Sequence, residues 1–291
     1  MRKRSNIIII LLIAACVAAF FGYRMLDDLR TDTQPPEIIL GENVPEISVY
    51  DSKDVLLQGI TARDKKDGDV TELLVVERVN LLDSDGRIMV SYAAFDRSGN
   101  VSKAQREARY TDYQPPKLTL STPLIFPYSS SFDILSVVGA QDVVDGDIQH
   151  RVRATLLEEG SISERVVHNV RFQVTNSLGD MVSYVLPVEA YDPMQYVADL
   201  KLTQYLIYLT PGGSFAPQDY LDSFSLQGEI VNLRSGLPKG YKLETTGEVQ
   251  TGVPVVYAVE YRVTYTIQNE KNRDLDQHFA AYSKLIVIVE G

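Results

Sequence analysis

Cysteine occurs once in the 291 residues, tryptophan not at all and histidine three times. The single thiol, Cys16, lies in an apolar N-terminal run, so the rest of the chain holds no disulfide and no cysteine nucleophile. His150, His168 and His278 are scattered and no H-E-x-x-H occurs, which argues against a zinc centre. Neither G-x-S-x-G, a Walker loop nor G-x-G-x-x-G is present. Positive charge is also short, with 28 Lys and Arg against 39 Asp and Glu, a net charge of −11. Such a surface repels phosphate backbones and makes nucleic acid a poor partner. Carboxylates are plentiful, but no pair stands out as a glycosidase dyad. An enzyme is not expected.

The N-terminus carries Arg2, Lys3 and Arg4, followed by an uncharged apolar run from Ile7 to Tyr23. Ile7 to Ile13 alone favour insertion by on the order of −2 to −4 kcal/mol. The run sits at the short end for a spanning helix. Basic residues before it, and none until Arg24, place residues 1–6 in the cytoplasm and the bulk outside. Two rivals share this export. One is a lipoprotein lipidated at Cys16, since Ile13–Cys16 resembles a lipobox; the other is a cleaved signal peptide. The expected localisation is the cell membrane, single-pass, with a linker at 24–31.

Beyond the anchor the chain repeats itself. "TDTQPPEIIL" at Thr31 is answered by "TDYQPPKLTL" at Thr111, and Asp32, Asp112 and Asp192 are spaced by 80. "DKKDGDVT" from Asp64 is answered by "DVVDGDIQ" from Asp142, and "DRSGN" from Asp96 by "NSLGD" from Asn176. Alternating residues Ile88, Val90, Tyr92 and Ala94 are matched by His168, Val170, Phe172 and Val174, then by Tyr261, Val263, Tyr265 and Ile267. Period-two alternation kept in phase implies one buried strand face used three times. Further strands are expected at "EIIL", "VLLQGITA", "ELLVVERVN", "SKAQREARY" and the closing "KLIVIVEG", with a turn of helix in "MQYVADLKL". Short strands punctuated by Asp, Gly, Ser and Asn turns suggest sandwiches. Each Pro-Pro pair makes a stiff joint at a repeat boundary.

The pattern "D…PP", "D…DGDVT", "G…V.Y.A.D..GN" resembles bacterial immunoglobulin-like surface repeats, the hyalin and cadherin-like type also found in insecticidal crystal toxins. The resemblance covers residues 32–191, with a diverged third copy lacking the Asp-Gly-Asp loop. It implies tandem immunoglobulin-like β-sandwiches; taken with the apolar N-terminal run and the 80-residue spacing, the expected fold is all-β, tandem immunoglobulin-like β-sandwiches behind one N-terminal transmembrane helix, with domains at 32–111, 112–191 and 192–291. Under that topology Asp32, Asp64, Asp67, Asp69 and Asp96 gather at one domain entrance, and Asp112, Asp142, Asp145 and Asp147 at the next. Clustered carboxylates suit calcium. The competing reading is a turn in which Gly supplies a positive φ and Asp caps its own backbone. Loop tyrosines Tyr220 and Tyr241 are candidates for ligand contact. The expected function is a membrane-anchored structural spacer or adhesive module of the bacterial cell surface, with the third domain as distal tip. The alternative is an accessory subunit of an envelope complex that binds cell-wall glycan or a surface protein.

Overall fold

The computed structural model describes residues 12–25, 32–127, 133–162, 165–191, 198–267 and 277–291. Residues 12–25 are helical, and Ile7–Leu11 of the expected anchor lie outside the described residues. Among the described residues no helix is long and apolar enough to cross a membrane, so the expected spanning helix is not seen there. The remainder is β-sandwich, divided into two compact units, Met1–Tyr113 and Gln114–Gly291.

The first unit runs β1 (Glu37–Ile39), β2 (Glu46–Ile47), β3 (Thr61–Asp64), β4 (Gly68–Asp69), β5 (Leu74–Leu81), β6 (Arg87–Phe95) and β7 (Val101–Tyr110). Its sheets are ordered β1-β3-β4 and β2-β7-β6-β5. The short β2 pairs parallel with the last strand, Glu46 opposite Arg109, while β5, β6 and β7 pair antiparallel. This arrangement is immunoglobulin-like, and it closes a core of Ile47, Leu56, Ala62, Leu74, Ile88, Val90, Tyr92, Ala94 and Ala108. The expected face of β6 is therefore the buried one. "VLLQGITA" is not one strand. Ser52 caps a 3-10 turn over Lys53–Leu57 by accepting from the Asp54 N–H, and Leu56 plugs the core beneath it. Pro36 and Pro116 are buried just before the first strand of their repeats, so the second proline of each pair is also a packing residue.

The second unit repeats this topology twice. Its strands are β8 (Lys117–Leu120), β9 (Ile125–Pro127), β10 (Val138–Asp142), β11 (Gly146–Asp147), β12 (Arg153–Ile162), β13 (Arg165–Thr175) and β14 (Met181–Tyr191), then β15 (Ala198–Leu202), β16 (Leu206–Leu209), β17 (Leu221–Leu226), β18 (Glu229–Asn232), β19 (Tyr241–Thr246), β20 (Val256–Ile267) and β21 (Gln277–Val289). Sheet orders β8-β10-β11 and β9-β14-β13-β12 are followed by β15-β17-β18 and β16-β21-β20-β19. The parallel pair recurs in β9 with β14 and in β16 with β21. Even without an Asp-Gly-Asp loop, the third copy has the fold of the other two.

Three details differ from expectation. His168, expected on the buried face with Val170, Phe172 and Val174, is half-buried in β13. "ADLKL" is strand β15, with Ala198, Leu200 and Leu202 facing in; the preceding residues 194–197 lie outside the described residues. In β20 the buried set is Val259, Tyr261 and Val263, while Tyr265 is half-buried and Ile267 is 43% exposed. The long β20–β21 ribbon carries its far end beyond the core that Val259 begins to fill.

Within the second unit the two sandwiches share hydrophobic core. Ser283 to Val289 of β21 are buried without interruption, as expected of a strand covered on both faces. Leu285 and Val287 join the core of the third repeat, with Leu200, Phe224 and Tyr261. Ile286 and Ile288 point the other way, into the core of the second repeat with Leu118, Val138, Phe172 and Leu186. The phenol of Tyr208 accepts from the Leu118 N–H at 2.7 Å and donates to its carbonyl at 3.3 Å. Lys117 lies 4.9 Å above that ring and pairs with Glu290 at 2.8 Å. Lys284 and Glu189 form an ion pair at 2% and 4% side-chain exposure, joining β21 to β14.

Burying Ile286 and Ile288 contributes about 3–6 kcal/mol to the second repeat. A chain ending at Tyr191 lacks both, together with Leu206 and Tyr208. Under limited proteolysis its residues 114–191 should be digested while 32–113 survives. A protease-resistant fragment covering 114–191 would contradict the shared core.

Candidate metal centre

Asp64 ends β3 and Asp96 directly follows β6, so the sheet geometry brings their side chains to the same end of the first sandwich. Gly68, at φ 77°, lets the D-x-x-D-G-D loop turn back as β4, with Asp64 opposite Gly68. One oxygen of Asp64 accepts from the N–H groups of Lys66 at 2.7 Å and Asp67 at 2.8 Å. One oxygen of Asp96 accepts from Ser98 and Asn100 N–H at 2.9 and 2.8 Å; the other accepts from the Asn100 amide at 2.7 Å. That same amide donates to the Asp32 carbonyl at 3.0 Å and the Gln34 carbonyl at 3.3 Å, fixing the segment before the Pro-Pro pair.

Oxygens of Asp32, Asp64 and Asp96 then lie within 4.8 Å of one another, with Asp64 and Asp96 buried and Asp32 half-buried. Asp32 Oδ1 accepts from the Gln34 N–H, while its Oδ2 is buried without a hydrogen-bond partner. Backbone N–H groups of Asp67 and Lys66 hold Asp64 below the usual carboxylate range. Burial pushes Asp96 up, but donors from Asn100 and Ser98 outweigh it, and Asp96 too is lowered despite the neighbouring charge of Asp64. Because both are lowered, their contribution to stability is present above the ordinary carboxylate range and is lost as pH falls through the depressed values.

The other predicted acidic residues serve the backbone. Asp67 accepts from the Arg97 N–H at 2.8 Å, and Asp69 caps Thr71 at 3.0 Å. Asp112 belongs to the first unit, where it accepts from the Ser48 hydroxyl at 2.6 Å and the Val49 N–H at 2.9 Å. In the second unit Asp142 accepts from Val144 and Asp145 N–H, Asp145 binds Ser177 and the Arg151 guanidinium, and Asp147 caps Gln149. The Asp96 position is Asn176 there. Its amide donates to Asp142 at 3.0 Å, and its carbonyl oxygen accepts from Leu178 and Asp180 as Asp96 accepts from Ser98 and Asn100.

The second copy thus shows that an amide suffices for the turn. The first copy keeps a third carboxylate beside two others at a Coulombic cost that the turn does not explain. Three hard oxygen donors, one unpartnered, fit a calcium-class cation rather than zinc. Sequence reasoning reached these three residues but not their separation from Asp67 and Asp69, which depends on which loop amides each carboxylate meets.

Tyr220 stacks on Phe215 at 5.6 Å, and Tyr241 stacks on Tyr265 at 4.4 Å while meeting Phe224 edge-on at 5.3 Å. Both are half-buried against the third core, which raises their hydroxyls above the ordinary range. Cys16 is exposed on the N-terminal helix. A site missed by sequence reasoning is a cleft of about 340 Å3 in the first unit, lined by Glu46, Asp85, Arg109, Tyr110 and Tyr113 among others. The two tyrosine rings there are near-parallel at 6.5 Å. Arg109, Tyr110 and Tyr113 are spread over a strand end and the loop after it, a grouping without a motif.

No family model matches the chain, and no curated protein matches it by sequence. Among solved structures, the chain is similar to CBM51-2 and INT domains of Clostridium perfringens ZmpB in complex with GlcNAc, at 13% identity and a TM-score of 0.22. It is also similar to the protocadherin GammaB4 extracellular domain, at 10% and 0.19, and to mouse cadherin-23 EC22-24, at 8% and 0.20. These matches cover 88%, 89% and 88% of this chain, and 42%, 50% and 99% of the other. The chain therefore spans half or less of the first two.

Calcium at one hundred times its dissociation constant should raise the melting temperature of the first unit by on the order of 10 °C. Asp96→Asn, which keeps the backbone capping bonds as Asn176 does and gives up only the acceptor for the Asn100 amide, should abolish the rise without unfolding the protein. Equal melting in calcium and in chelator would exclude the site.

Proposed function

We propose that the chain is a non-enzymatic module of the bacterial cell surface. Its apolar N-terminal segment holds it at a membrane, and its immunoglobulin-like sandwiches serve as a structural spacer and adhesive support. The observation that carries this reading is the sharing of β21 between two cores. A strand buried on both faces couples the second repeat to the third through their cores, so the two transmit force as one body. Inter-domain joints in most chains are smaller and more polar, and such domains move relative to one another. Any tip function then belongs to the pair of repeats rather than to the third alone. The first-unit carboxylates, if they hold calcium, add stiffness where the chain enters its first sandwich.

The cleft of Tyr110 and Tyr113 favours a second reading, in which the first unit recognises cell-wall glycan. Tyrosine faces stack on sugar rings, and Glu46, Asp85 and Arg109 supply hydrogen-bonding groups to hydroxyls and amides.

Replacing residues 7–23 with an unrelated membrane-spanning sequence separates these readings from that of an envelope-complex subunit. Surface display and adhesion of the producing cells should persist after the exchange. Loss of function with display intact would show that the native segment contacts a partner helix. Binding of purified cell-wall glycan that is weakened at least tenfold by Tyr113→Ala would favour the second reading.

A further inference from the structure

In all three repeats one sheet ends on the strand preceding the central hairpin: β5, β12 and β19 each pair with one neighbour, and among the described residues their outer edges have no partner strand. Free edges template association, and bulges are one way of blunting them. The first two repeats have this protection at equivalent places. The β5–β6 register shifts between Val76 and Arg78, and the β12–β13 register shifts between Leu156 and Glu158, 80 residues on. The third repeat lacks it. β19 runs in unbroken register with β20 through six pairs, from Tyr241 opposite Tyr265 to Thr246 opposite Glu260.

Its sequence also fits itself. Residues opposite each other in an antiparallel pair share hydrogen-bonding parity, so a symmetric β19–β19 pair must be centred on a residue. Centring on Lys242 or Glu244 sets like charges face to face. Centring on Leu243 sets Lys242 opposite Glu244 of the partner copy, twice, and Tyr241 opposite its Thr245. Lys242 and Glu244 are exposed, whereas Tyr241 and Leu243 are half-buried at the rim of the third core, where two such rims would cover each other. Gly247, at φ 93°, ends the strand where a Cβ would lie 2.2 Å from the Ala258 carbonyl oxygen, so the edge is bounded as well as regular.

We propose that β19 is a homotypic docking edge, on which a second copy of this chain adds antiparallel in the Leu243-centred register and joins two four-stranded sheets into one of eight. This goes beyond the spacer reading and requires neither the membrane segment nor calcium. A six-residue edge is small beside the roughly 1,600 Å2 of a standard interface, so the pairing is weak and concentration-dependent in solution. Copies confined to one membrane surface would favour it by effective concentration.

The test uses the full chain in detergent with Cys16→Ser, so that Leu243→Cys supplies the one thiol. Opposed residues of an antiparallel pair lie about 4.5 or 5.5 Å apart at Cα, within disulfide reach. Mild oxidation should give at least fivefold more disulfide dimer than the same chain with Ile230→Cys, an exposed position on neighbouring edge strand β18. Adding Lys242→Glu or Glu244→Lys should reduce the dimer at least fivefold, and the two together should restore it to within twofold. Dimer no greater than with Ile230→Cys, or a double reversal that fails to restore it, overturns the proposal.

Discussion

The second unit depends on a strand that has no solvent face. From Ser283 to Val289, β21 buries every side chain, Leu285 and Val287 into one core and Ile286 and Ile288 into another. Its position is held by β16 on one side, β20 on the other and the Lys284–Glu189 pair across the seam. A buried ion pair adds little net stability against a well-packed apolar pair, yet loss of one partner costs about 3–5 kcal/mol, because the other charge is left in the interior. It therefore penalises every arrangement of the two repeats except the one in which β14 and β21 meet here.

That constraint changes what the threefold repeat means. Three copies of one topology follow one another along the chain, yet the core of the second is not filled by its own residues alone. The second borrows Ile286 and Ile288 from the last strand of the third, so residues 114–291 fold as a pair. Acidic loops divide along the same line. Asp96 stands where the paired body has Asn176, and the carboxylates of Asp142 and Asp145 are matched there by Asn176 and Arg151. Asp32, Asp64 and Asp96 stay together, with the charge of Lys66 helping to hold Asp64 ionised, a carboxylate cluster of the kind a divalent cation would neutralise.

Much of the fold was legible because strand alternation is a local signal. Tyr92, Phe172 and Tyr261 are fully buried as their phase requires, and Val90, Val170 and Val263 with them. The 3-10 turn at Lys53–Leu57 was hidden because an apolar run bounded by turn residues reads the same whether strand or turn. "KLIVIVEG" announced a closing apolar strand, but no local pattern says that both its faces are covered or that the second cover is another repeat. Of the site, the topology implied by the resemblance pointed to a wider set, Asp32, Asp64, Asp67, Asp69 and Asp96 at one entrance and four more at the next, in which Asp32, Asp64 and Asp96 were included. Which carboxylates converge and which cap backbone was decided by donors such as Arg97 N–H and Ser48 Oγ, distant in sequence or set by loop shape. The β19 edge was invisible for a similar reason, since a missing bulge is a property of pairing rather than of composition.

The shared strand is tested most directly by amide hydrogen exchange on the full chain. Exchange from β8 and β10, around Leu118 and Ala140, should report the same opening free energy as exchange from β15 and β17, around Leu200 and Phe224. Ile286→Ala should lower both together, by about 2–5 kcal/mol. If β8 and β10 open at their own lower free energy, and Ile286→Ala leaves β15 and β17 unchanged, the two repeats fold independently and the account of a single body is wrong.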